Sequence, residues 1–153
     1  MSDEQRLSVG DVDPKAYEAV LGLERYVHHS GLDPRLYELV KIRASQLNGC
    51  AFCLDMHARD ARACGEDQRR LDVLSAWREA PGLFTERERA ALRFTEAVTL
   101  IAEAGVSDPV WTELTRCFDQ GETVALLMAV ATINVWNRLA VSTHQHLPAL
   151  DRA

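Results

Sequence analysis

The chain has 153 residues, of which 47% are hydrophobic and 26% charged, a composition that supports a packed core without a disulfide staple and excludes a disordered or low-complexity polymer. Its formal net charge is −6, so the average surface repels phosphate backbones and anionic headgroups, and neither nucleic acid nor a membrane is expected as a partner. The start, Met1-Ser2-Asp3-Glu4-Gln5-Arg6, is polar and lacks the apolar segment of a secretory signal, so a cytoplasmic protein is expected, with a single domain over residues 1–153.

Taken in chain order, the punctuation is helical. Asp13-Pro14 sets an N-cap residue before a proline suited to the first helical position, and Ala16, Val20, Leu23 and Val27 then share one face. Asp33-Pro34 repeats the signal before the stripe Leu36, Leu39, Val40 and Leu47, and Asn48-Gly49 ends that helix. A cysteine-bearing helix follows, up to a break near Gly65, and further breaks fall near Gly31, Pro81-Gly82, Gly105 and Gly121. Thr85 and Glu88 have the spacing of a capping box, and Asp108-Pro109 precedes a helix lined by Trp111, Leu114 and Phe118. The longest apolar stretch, Val124 to Val141, is interrupted by Thr132, Asn134, Asn137 and Arg138, which fits a central buried helix better than a membrane span. No segment alternates with period two, so the fold class is all-α, with about six or seven helices joined by short connections.

The chemistry concentrates in Asn48-Gly49-Cys50-Ala51-Phe52-Cys53-Leu54-Asp55-Met56-His57. Placed just after a helix break, Cys50 and Cys53 fall in the first turn of the next helix, where unpaired N–H groups and the positive end of the dipole stabilise a thiolate. At i and i+3 the two Cβ atoms are roughly 5–6 Å apart, and a slight adjustment of that turn permits a disulfide. His57, four residues after Cys53, shares its face with Leu54, Ala61 and Cys64 and can reach the Cys53 sulfur or a neighbouring water for proton transfer. In a compartment that keeps thiols reduced, such a pair is redox-active or metal-binding rather than a structural crosslink.

Zinc is the rival reading, because Cys50, Cys53, His57 and Cys64 spell a ligand set. Cys64 nevertheless sits about 16 Å from Cys53 along a continuous helix, and two sulfurs on one zinc lie within roughly 4 Å. A thioredoxin-like domain is set aside for want of a βαβ pattern. His28-His29 and His144-Gln145-His146 read as surface residues and Cys64 and Cys117 as packing residues, with Trp77, Trp111 and Trp136 in the core or at a subunit interface. Arg59, Arg62, Arg69, Arg70, Arg87, Arg89 and Arg93 alternate with acids and read as solvated faces.

The segment from Glu38 to His57, with a glutamate twelve residues before a C-x-x-C and a histidine four residues after its second cysteine, resembles the AhpD-like alkylhydroperoxidase branch of the carboxymuconolactone decarboxylase superfamily. Ile133 to Ala140 is similar to the C-terminal part of the same small helical proteins. The resemblance implies an all-α subunit assembling into trimers or hexamers. It implies Cys53 as the peroxidatic nucleophile and Cys50 as the resolving thiol, with His57 and Glu38 as a proton relay. It also implies a hydroperoxide substrate, no bound cofactor or metal, and an external dithiol from a lipoamide-bearing or thioredoxin-like partner. A protein-disulfide reductase or redox sensor would use the same dithiol, whereas a lactone decarboxylase-like lyase or a zinc-binding oligomeric module would not need its redox chemistry. Helical projection alone places Glu38 opposite the Leu36, Leu39, Val40 and Leu47 stripe, as a solvated carboxylate, so its role comes from the motif.

Overall fold

The Asp-Pro pairs start helices where a capping carboxylate and a pre-set φ act together. In the computed structural model, which describes residues 4–149, Asp13 Oδ1 accepts from Lys15 N–H and Ala16 N–H at the head of α2, Pro14–His28. Asp33 accepts from Leu36 N–H, 2.9 Å, at the head of α3, Pro34–Asn48. The third pair behaves differently: Ser107 is the N-cap of α8, Asp108–Cys117, with Asp108 at the first position and Pro109 at the second. An acid in the first turn is still favoured there by the dipole.

The expected box of Thr85 and Glu88 caps α6, Glu86–Thr99, through both reciprocal hydrogen bonds. A second box, Asp119 with Glu122, starts α9, Gln120–Thr143. Gly121 therefore lies in the first turn of α9 rather than in a connection, because two satisfied donors outweigh the modest helix penalty of one glycine.

The remaining elements are α1, Val9–Val12; α4, Ala51–Ala63; α5, Gln68–Val73; a 3-10 helix, Leu74–Glu79; and α7, Ile101–Ala104. All regular elements among the described residues are helical, as expected, but there are nine α-helices and one 3-10 helix rather than six or seven. The excess lies in one- and two-turn pieces such as α1 and α7, which are too short to show a hydrophobic period.

α9 is the helix against which α2, α3, α4, α6 and α8 all pack. It is long and apolar enough, by length and composition, to cross a membrane, yet Ala125, Leu126, Ala129, Val130 and Ile133 are spent on the helix-to-helix core. Two clusters share α3. Leu36 and Val40 join Phe94, Leu114, Leu126 and Val130 on one side, and Leu39 and Ile42 join Ala61, Leu74, Trp77 and Leu92 on the other. Consequently every residue from Leu36 to Ile42 is buried, and α3 has almost no solvated face. α2 is more peripheral: Val27 is buried, but Ala16 is exposed.

Several arginines are not free in solvent. Arg70 bridges Glu66 (2.9 Å) and Glu88 (2.6 Å) and lies over Phe84, while Arg87 pairs with Glu122 and lies over Phe118. Sequence alternation cannot distinguish such cross-helix pairs from surface i,i+4 pairs.

Candidate active site

Gly49 ends α3 in the left-handed conformation, φ 65°, which a residue without Cβ adopts without strain. Cys50 N–H then donates to Ser45 O (3.0 Å), the six-to-one bond that closes a Schellman turn. The end of α3 is tied to α9 by a polar ladder: Asn48 Nδ2 donates to Asn134 Oδ1 (3.0 Å) and Asn137 Oδ1 (2.8 Å), and Asn137 Nδ2 donates to Ser45 Oγ (3.0 Å). These bonds hold the turn that delivers Cys50 to the N-cap of α4, where its Sγ accepts from Cys53 N–H at 3.3 Å.

Cys50 and Cys53 are joined as a disulfide, with Cα atoms 5.3 Å apart, the state that the helix-start spacing permits. Both are buried, 1% and 2% exposed, against Ala140 and Phe52. Cys64 lies at the far end of α4 as its exposed C-cap, and Cys117 is half-buried at the end of α8, where burial pushes its thiol up. Neither approaches the bridge as a third sulfur of the C-x-x-C set would have to.

Glu38 is buried, contrary to what helical projection indicates. The cysteine helix and α9 pack over the face that the stripe of α3 leaves open. Its Oε2 is 3.1 Å from His57 Nδ1 and its Oε1 is 2.7 Å from Lys41 Nζ. Burial alone raises this carboxyl, but the His57 hydrogen bond and the Lys41 ammonium outweigh it and hold Glu38 below the usual carboxylate range. A carboxylate can only accept, so His57 carries its proton on Nδ1 when neutral, and Nε2 is a bare lone pair. Nε2 is buried with no hydrogen-bond partner, on the ring one helical turn after Cys53 on α4.

The sequence does not single out the residues behind this pair. Lys41 is also 3.6 Å from Glu24 Oε1 on α2. Glu24 in turn accepts from Tyr37 OH (2.6 Å) and Trp136 Nε1 (3.1 Å), so Trp136 is a hydrogen-bond donor as well as a packing residue. An acid and a base three residues apart inside the otherwise apolar Leu36–Ile42 stretch are the signal that was available. A cavity of about 400 Å³ opens on Glu38, Lys41 and His57, walled by Phe52, Met56 and Trp136 and rimmed by His28 and Asp60. His28 thus sits at the cavity mouth rather than on an indifferent surface. Glu38, His57 and Asp60 also bring donor atoms within 4.8 Å of one another, but Lys41 already supplies a cation to Glu38.

Comparison with known proteins places this geometry in context. The model of the carboxymuconolactone decarboxylase family matches residues 14–97, which include Glu38, both bridge cysteines and His57. The Bacillus subtilis protein YdfG, itself uncharacterised, is 37% identical over 138 residues, covering 90% of this chain and 93% of its own. A solved structure from Agrobacterium tumefaciens, of unknown function and proposed to be the antioxidant defence protein AhpD, is 41% identical with a TM-score of 0.93, covering 96% of this chain and 100% of that one. The debrominase Bmp8 shares the fold at a TM-score of 0.81 and 18% identity, covering 91% of this chain and 74% of its own.

Proposed function

The chain belongs to the carboxymuconolactone decarboxylase family, and from that premise we propose that it is a thiol-dependent hydroperoxide reductase acting on alkyl or related peroxides. The AhpD-like fold with a C-x-x-C pair supports a redox role, and the observation that carries the finer reading is the orphaned, buried Nε2 of His57, four residues after Cys53 on α4 and backed on its other nitrogen by the Glu38 carboxylate. In the reduced protein, His57 Nε2 takes the Cys53 proton, directly or through a water. The thiolate attacks the terminal oxygen of ROOH, the O–O bond breaks, and Cys53 becomes a sulfenic acid while the imidazolium returns the proton to the departing alkoxide as ROH. The Cys50 thiol then displaces hydroxide from that sulfur, giving the disulfide and water. An external dithiol restores both thiols and is itself oxidised to a disulfide, so no bound cofactor or metal is required.

Burial of both sulfurs favours a small oxidant over a folded protein disulfide. By the same argument a slim dithiol arm, such as dihydrolipoamide on a carrier, fits better than the broad face of a thioredoxin-like protein. In this reading the chain is one domain working in the cytoplasm as a homo-oligomer, trimer or hexamer. Val124, Leu127 and Val141, exposed on α9, are the surface we assign to subunit contact.

The test is turnover of cumene hydroperoxide with dihydrolipoamide or dithiothreitol. Wild type should consume peroxide, and Cys53→Ser, with an unchanged helical circular dichroism spectrum, should lose at least about a thousandfold. Full activity in that variant would refute the assignment, and activity on a lactone that survives thiol alkylation would move the protein to the lyase side of the family.

A further inference from the structure

Lys41 is an interior charge for which peroxide chemistry has no direct use. It is 5% exposed, with Nζ 2.7 Å from Glu38 Oε1, 3.6 Å from Glu24 Oε1 and 3.8 Å above the Tyr37 ring. Its second carboxylate is fixed, because Tyr37 OH and Trp136 Nε1 both donate to Glu24. Burial and then the Glu24 hydrogen bond push the Tyr37 phenol far up, so it remains a donor throughout the working pH range. Lys41 is therefore held in one place by α2, α3 and α9 together.

The titratable groups that share this cavity with His57 come from three elements. α2 brings Glu24 and His28, α3 brings Glu38 and Lys41 with the neutral Tyr37, and α4 brings Asp60, whose Oδ2 is 4.0 Å from Nδ1. The α9 side is uncharged at Trp136 and Ala140. Glu24, Glu38 and Asp60 thus share one cavity with the imidazole, and among the described residues Lys41 is the one lysine or arginine lining it. With no ammonium there, the carboxylates would offset their mutual repulsion by drawing a proton onto Nε2.

We infer that Lys41 is a positioning residue that neutralises the Glu24–Glu38 pair and so keeps the Nε2 lone pair of His57 free for the Cys53 proton. The inference rests on the proposed role of His57 as the base, but it can be read without peroxide. It also assigns Glu24, on a different helix, to the same device: its carboxylate holds Lys41 in place and adds negative charge to the field.

The experiment is an NMR titration of the His57 Cε1–H resonance in the oxidised protein, where the disulfide removes thiol ionisation from the curve. His57→Phe identifies the signal among the five histidines. Lys41→Met should raise the His57 midpoint by about one pH unit, tenfold in proton affinity, and Lys41→Arg should restore most of the shift. Glu24→Gln should move the midpoint down. A residue that only fills space would not produce shifts of opposite sign from these two substitutions. Unchanged midpoints, or shifts of the same sign in Lys41→Met and Glu24→Gln, would overturn the inference. Should Lys41→Met not fold, the downward shift in Glu24→Gln and the near-wild-type midpoint of Lys41→Arg still decide it. Retained peroxide turnover in His57→Phe would instead sink the proposed base while leaving this electrostatic result standing.

Discussion

Glu38 carries one negative charge that two partners share, His57 on Oε2 and Lys41 on Oε1. Replacing it with Gln keeps the shape but removes the charge, and the amide can turn its N–H towards His57 Nδ1, which flips the tautomer and puts a proton on Nε2. We expect Glu38→Gln to lower kcat/KM for hydroperoxide by about a hundredfold, the usual size of a general-base contribution, with the disulfide still forming under air. Stopped-flow peroxide consumption checks this, and a loss below threefold would speak against the relay. The placement of Cys50, Cys53 and His57 on the first turns of α4 was legible in the sequence because a C-x-x-C after a helix-ending glycine carries its own geometry. Glu38 was legible only through the family motif. Its own helix, projected alone, turns it outward, and the helices that cover it lie elsewhere in the chain. Lys41 and Glu24 carry no such mark, because a buried ion pair spanning two helices has the same letters as a solvated one.

At the scale of elements, α3 is positioned by its ends and its middle. Asp33 caps its start, the Schellman turn at Gly49 closes it, and Arg43 ties it to α6 through Glu96 Oε1 at 2.8 Å. The same Glu96 accepts from Trp77 Nε1 (2.8 Å) and pairs with Arg78 (2.5 Å), so one carboxylate clamps α3, the 3-10 helix and α6. Burial raises Glu96, but the bonds from Arg78, Trp77 and Arg43 prevail and hold it below the usual carboxylate range. Glu38 and Glu96 are both lowered on folding, so their contribution is complete above the ordinary carboxylate pKa and is lost as pH falls through the folded values. Stability measured by urea unfolding should therefore decline on acidification below about pH 4. In Glu96→Ala, neutral stability should fall by about 3 kcal/mol and the acid dependence should flatten. A variant as stable as wild type at neutral pH would show that the clamp is ornamental. The Asp-Pro and Thr-x-x-Glu signals located three of the helix starts, whereas α8 begins at a Ser107 cap one residue before the expected Asp108, and α9 begins at Asp119, a cap the sequence pattern did not single out. Short α1 and α7 left no periodic trace at all.

For the molecule as a whole, the all-helical class followed from the absence of alternating segments and from the apolar α9, around which five other helices assemble. The interior is less uniformly apolar than composition indicates. A line of polar groups runs from Glu24 through Lys41, Glu38 and His57 towards the start of α4, and a second runs from Thr99 through Asn134 and Asn48 to Asn137 and Ser45. The first opens on the cavity, and the second fixes the turn before Cys50. The second thus sets the start of α4 that carries the bridge, and the first holds the His57 imidazole one helical turn after Cys53 on the same helix. The most direct measurement is to treat reduced Cys50→Ser with one equivalent of cumene hydroperoxide and trap the product with dimedone. The account predicts a single dimedone adduct on Cys53 and one equivalent of cumyl alcohol; an unmodified Cys53 with the peroxide still intact would contradict it.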